Sequence, residues 1–122
     1  MSTIRVDNLQ TAGGAGLYLG KAWVNFNGTG TVAIREDGNV SSITDNGTGQ
    51  YTASYSNSIA DANYALTGGT VHQDNFNGNV NVVSIPDSYT PLSGSTQIKV
   101  LYGNYASGGP TDQEYVFVTI TR

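Results

Sequence analysis

The chain has 122 residues and a mass of 12.8 kDa, enough for a single domain with a genuine core. Charged residues make up only 11%, and neutral polar types replace them: 16 Gly, 14 Thr, 12 Asn and 11 Ser, together 53 of 122 residues. Thr favours strands while Gly, Asn and Ser favour turns and disfavour helix interiors, so a helical protein is excluded before any pattern is read.

In chain order, the sequence first reads as an N-terminal arm and joint over residues 1–19. Ile4, Val6 and Leu9 are its spaced apolar anchors, and Gly13-Gly14-Ala15-Gly16 follows as a Gly-rich joint. A sandwich domain is predicted over residues 20–122. Its first strand is Ala22–Phe26, with Ala22, Val24 and Phe26 on one face, closed by the hairpin signal Asn27-Gly28. Thr31–Arg35 is the second strand, ended by Asp37-Gly38, and Val40–Thr44 the third, ended by Asn46-Gly47. The fourth, Gln50–Tyr55, turns Tyr51, Ala53 and Tyr55 to one side and Thr52 and Ser54 to the other.

Ser58–Asn63 reads as a connector with room for one helical turn. Strands are then predicted at Asn63–Thr67 and Thr70–Gln73, joined through Gly68-Gly69, and at Asn79–Ile85. A loop bracketed by Pro86 and Pro91 leads to Gln97–Tyr102. The last strand is Glu114–Thr121, and it is apolar on both faces: Val116, Val118 and Ile120 against Tyr115 and Phe117. Such a strand is central in a sandwich, or has its outer face covered by another subunit. Trp23, Tyr115 and Phe117 are therefore assigned to a core or subunit interface. Turn signals every 8–12 residues indicate an all-β protein, an antiparallel, jelly-roll-like β-sandwich with a short extended arm.

The chemistry-bearing residues are sparse. Arg5, Lys21, Arg35, Lys99 and Arg122 are the only basic residues, scattered along a chain of net charge −4, and form no stripe for nucleic-acid phosphates. No 18-residue apolar run offers a membrane span. Without Cys there are no disulfides or thiolate metal sites. The lone His72 lies in a predicted strand, and no Gly-x-Ser-x-Gly elbow is present. Asp37, Asp45, Asp61, Asp87 and Asp112 sit in turn contexts that explain them without catalysis. The Asp74–Asn79 stretch has Phe76 where a calcium loop needs an oxygen ligand, and lacks the closing Glu. No catalytic residue, metal site or cofactor is expected. Tyr89, Tyr102 and Tyr105, with Asp87 and Asn104 nearby in sequence, are the candidate glycan contacts, pairing aromatic faces with hydrogen-bonding side chains.

Three stretches carry a resemblance: Gly20–Arg35 (GKAWVNFNGTGTVAIR), Asn39–Thr52 (NVSSITDNGTGQYT) and Asp61–Tyr64 (DANY). With them the chain resembles a β-rich module of phage and prophage tail-fibre proteins from viruses of aquatic bacteria. The opening Ser2–Gln10 resembles the short segment that often precedes that module, and the closing Glu114–Thr121 resembles its final strand. The resemblance implies a non-enzymatic bacteriophage virion protein, a tail-fibre or spike-like appendage at the virion surface. Its implied partners are other virion proteins and copies of itself in a homotrimer, with host-surface glycan as a further ligand. Two alternatives stand beside it: a capsid decoration (cement) protein clamped to capsomers by its arm, and a lectin-like glycan-binding module. The opening residues lack the basic and apolar regions of a signal peptide, so synthesis in a host cytoplasm is expected.

Overall fold

A computed structural model describes residues 2–3, 5, 10–14, 20–71, 80–103 and 108–122. Nine strands are present among them, and no helix. They are β1 (Gly20–Asn27), β2 (Ala33–Gly38), β3 (Val40–Gly47), β4 (Gln50–Tyr55), β5 (Ala65–Thr70), β6 (Val80–Ser84), β7 (Ser95–Gly103), β8 (Gly108–Pro110) and β9 (Val116–Thr121). All pairings are antiparallel. One sheet has the order β2-β1-β9-β5, the other β3-β4-β7-β6, with β8 paired to β7.

The two sheets pack face to face, and period-2 alternation decides what lies between them. Ala22, Val24 and Phe26 of β1 and Val116, Val118 and Ile120 of β9 meet Tyr51, Ala53 and Tyr55 of β4 and Ile98 and Val100 of β7. Phe26 and Tyr51 are completely buried and meet edge-on, ring centroids 5.0 Å apart. The β-sandwich is thus the one the sequence predicts. Its strand order is built from the hairpins β1–β2, β3–β4 and β6–β7 joined by crossings between sheets. These pairings do not establish the double Greek key of a jelly roll.

The crossing from β2 to β3 takes a single residue. Asn39 adopts φ 61°, a left-handed conformation that Asn tolerates. Its carboxamide donates to the Lys21 and Asn57 carbonyls at 3.0 and 2.9 Å and accepts from the Asn57 N–H at 2.7 Å. Asp37 accepts from the Val40 N–H across the same corner.

Three local expectations are corrected. Ser58–Asn63 forms no helical turn: the buried Ile59 anchors it by donating its N–H to the Ser93 carbonyl at 2.8 Å. Gly68-Gly69 is not a joint but part of the continuous β5. The strand needs glycine there because a Cβ on Gly68 would stand 2.6 Å from Val83 Cγ1 and 2.7 Å from the Phe117 carbonyl oxygen. The short β8 escaped the sequence reading because Gly-Gly-Pro carries no strand pattern; it forms as an edge beside Leu101–Gly103.

The end of the sandwich opposite Asn39 is fastened by one polar knot. The Tyr51 hydroxyl lies 2.7 Å from Asp112 Oδ1 and 2.9 Å from the Gly28 carbonyl oxygen. Asp112 Oδ1 also accepts from the Gly49 N–H at 2.8 Å, and the Gly28 N–H donates to the Gln113 carbonyl. Burial, then the bond to Asp112, holds the Tyr51 phenol well above its ordinary pKa.

Candidate functional site

The outer face of β2-β1-β9-β5 is the most unusual surface of the molecule. Cross-strand register arranges it in rows. One row runs Gly38, Trp23, Thr119, Thr67, and the next Glu36, Asn25, Phe117, Gly69. Trp23 is 43% exposed and Phe117 38%. Both belong to the two central strands, where a single-layer face would be expected to carry polar residues.

Trp23 and Phe117 each have a glycine beside them in register. The Trp23 indole lies over Gly38, where a Cβ would run into Nε1. Phe117 pairs across a different strand with Gly69, and the space above Gly69 is open, with no atom within 4 Å of where a Cβ would sit. The face therefore carries a proud indole, a proud phenyl ring and a shallow depression next to the phenyl. Tyr115 stacks on Phe117 with centroids 6.4 Å apart, and the Arg35 guanidinium sits 4.0 Å above the Tyr115 ring. Arg35 is fixed in turn by donating to the Glu114 carbonyl at 2.6 Å, with the Glu114 carboxylate 3.7 Å away.

The opposite outer face, on β3-β4-β7, is hydroxyl and amide in character. Thr44, Thr52 and Gln97 lie side by side in it, as do Ser42, Ser54 and Ser95. That face has the composition of a solvated surface; the Trp23–Phe117 face does not.

The assignment of Trp23, Tyr115 and Phe117 to a core is corrected by these positions. β9 is central in its sheet, but only Val116, Val118 and Ile120 enter the core, so the odd-numbered aromatics stand outside it. Arg35, Gly38 and Glu114 complete the face and were not singled out from sequence. The large-residue-opposite-glycine pairing was the available signal, but it needs the strand register to be seen.

The candidate glycan contacts do not converge. The Tyr89 hydroxyl donates to the Ser95 carbonyl at 3.3 Å, at the start of β7, and Asp87 lies in the turn closed by Tyr89 N–H to the Pro86 carbonyl. Tyr102, 38% exposed, is near the other end of β7, opposite Asn81 and Gly109. Seven residues of strand separate Ser95 from Tyr102, or about 23 Å. Asn104 and Tyr105 lie outside the described residues, as do Ile4, Val6 and Leu9 of the arm, His72 and the Asp74–Asn79 stretch.

The aspartates largely do turn work. Asp45 accepts from the Gly47 N–H and Asp61 from the Asn63 N–H. Asp112 differs, because it serves the Tyr51 knot rather than its own turn. Among the described residues no three His, Cys, Asp or Glu side chains gather into a metal-binding group, and no helix is long and apolar enough to cross a membrane. No family model, curated protein or solved structure matches the chain.

Proposed function

We propose that the chain is a non-enzymatic structural protein of a bacteriophage virion, a small fibre- or spike-like surface appendage that assembles as a homotrimer. The observation that carries the assembly reading is the Trp23–Phe117 face. It places two large aromatics, held in position by Gly38 and by the Tyr115–Arg35–Glu114 stack, on the central strands of a sheet, where both stand exposed. Aromatic anchors on a firm scaffold are what a protein–protein interface uses for most of its affinity. A partner copy would also shield the sheet edges at β2 and β5. The virion assignment is supported by the resemblance over Gly20–Arg35, Asn39–Thr52 and Asp61–Tyr64 to tail-fibre modules, which are often homotrimeric.

Light scattering on the purified chain tests it. The expected molar mass is about three times 12.8 kDa, falling to that of one chain in the Trp23→Ser/Phe117→Ser double variant with the β-sheet circular dichroism signal unchanged. A wild-type monomer at high protein concentration would overturn self-assembly. It would leave the decoration reading, which predicts binding to purified capsids instead.

A further inference from the structure

The end of the sandwich that holds Asn39 is concave. A pocket of about 310 Å³ opens there between the start of β1, the residue following β9 and the β4–β5 connector. Its size is at the lower end of small-ligand sites. Two of the five basic residues of this acidic chain, Lys21 and Arg122, line it.

The two cations are not equivalent. Arg122 is held by Asp61 through two hydrogen bonds, Nε to Oδ1 at 2.9 Å and an Nη to Oδ2 at 2.5 Å. That pairing holds the Asp61 carboxyl down at about 2, so it stays ionised and its charge offsets that of Arg122. Lys21 has no carboxylate partner among the described residues. Lys21 is therefore the pocket cation left without an ion-pair partner among the described residues. Asn57 and Ser58 also line it; among the described residues only the Asn57 backbone is engaged, by Asn39, and the carboxamide and hydroxyl of the two residues are uncommitted. Ile59, 6% exposed, and Ala60 supply an apolar wall. Asn39, tied to Lys21 and to Asn57 by its three carboxamide bonds, keeps both sides of the pocket in fixed relation.

These groups define a ligand chemistry. One unpaired ammonium suits a monoanion rather than a phosphate dianion, because the second cation lining the pocket, Arg122, is already committed to Asp61. A carboxamide and a hydroxyl suit ligand hydroxyls, and a small apolar wall suits C–H groups. We infer that this pocket binds a carboxylated sugar residue of the uronic-acid class, its carboxylate on Lys21 and its hydroxyls on Asn57 and Ser58. The site is distinct from Asp87, Tyr89 and Tyr102 and does not rest on the assembly reading. Because it is small and open, its affinity lies in the millimolar range.

Two-dimensional ¹H–¹⁵N NMR titration of the full chain tests it, with glucuronate, glucose and acetate as probes. Glucuronate is expected to shift the amides of Asn57, Ser58, Ile59 and Ala60 saturably. Glucose and acetate, each lacking one half of the ligand chemistry, are expected to bind at least about ten-fold more weakly. Lys21→Gln should cut glucuronate affinity by a similar factor and leave the rest of the spectrum intact. Absence of shifts with glucuronate, equal binding of glucose, or a Lys21→Gln protein that binds as before would each overturn the proposal. Acetate binding as tightly as glucuronate would reduce the site to a general carboxylate contact and would overturn the sugar assignment.

Discussion

Tyr51→Phe is the substitution that most sharply tests how the two sheets are fastened. The ring stays, so the edge contact with Phe26 at 5.0 Å and the filled volume are retained. What is lost is one hydroxyl, and with it the 2.7 Å bond to Asp112 and the 2.9 Å approach to the Gly28 carbonyl. Both partners belong to connections that close the sandwich, one after β1 and one before β9. A hydrogen bond to a charged acceptor contributes about 1.5–3 kcal/mol. With an unfolding entropy of about 2.1 cal/mol/K per residue, 1 kcal/mol corresponds to about 4 °C in a domain of this length. The variant should therefore melt about 6–12 °C below wild type in a calorimetric or circular dichroism scan. Asp112→Ala should lose more, since the buried Gly49 N–H then also lacks its acceptor. A Tyr51→Phe protein that melts within about 2 °C of wild type would refute the reasoning, because it would mean that the knot contributes no net stability.

Further outcomes follow from neighbouring parts of the fold. Gly68→Ala should lower the unfolding free energy, read from urea denaturation, by about 1–3 kcal/mol through overpacking against Val83 and the Phe117 carbonyl; Gly69→Ala, one residue on and facing open space, should be neutral or stabilising by about 0.4–1 kcal/mol. Asn39→Ala should cost about 2–4 kcal/mol, from the left-handed backbone and the carboxamide bonds together, and Asn39→Gly should cost less because only the bonds are lost; urea unfolding separates the two. Burial raises both the Tyr51 and Tyr55 phenols, so the folded state holds these protons more tightly than the unfolded chain. Their contribution is intact below pH about 10 and is lost as the pH rises beyond it. Alkaline unfolding curves should show that decline, and Tyr51→Phe should make it shallower.

Most of the fold was legible because strand alternation is a local property. Ala22, Val24 and Phe26, then Tyr51, Ala53 and Tyr55, then Val116, Val118 and Ile120 all turn inward as their spacing demands. Glycine was harder to read. Gly28 follows β1 where its hairpin signal places it, yet a Cβ there would run into the Tyr51 hydroxyl, and Gly68 is a packing position whose reason, Val83, belongs to the other sheet. Asp112 shows the same limit, since its neighbours in sequence describe a turn and its actual partner is Tyr51.

The candidate face was half legible. The doubly apolar Tyr115–Thr121 run announced that its outer side needed cover, but the stack with Arg35 and the seat of Trp23 on Gly38 depend on register between β2, β1 and β9. The uncommitted groups around Lys21 were invisible, because the pocket draws on segments far apart in the chain.

The proposed trimer requires another copy of the chain over the Trp23–Phe117 face. Trp23 is the only tryptophan, so its fluorescence reports on that face alone. Acrylamide quenching measured across a protein dilution series is the most direct test. Assembly through this face predicts weak quenching and blue-shifted emission at high concentration, giving way on dilution to the strong quenching of an indole 43% exposed in the single chain. Strong quenching at every concentration would contradict it.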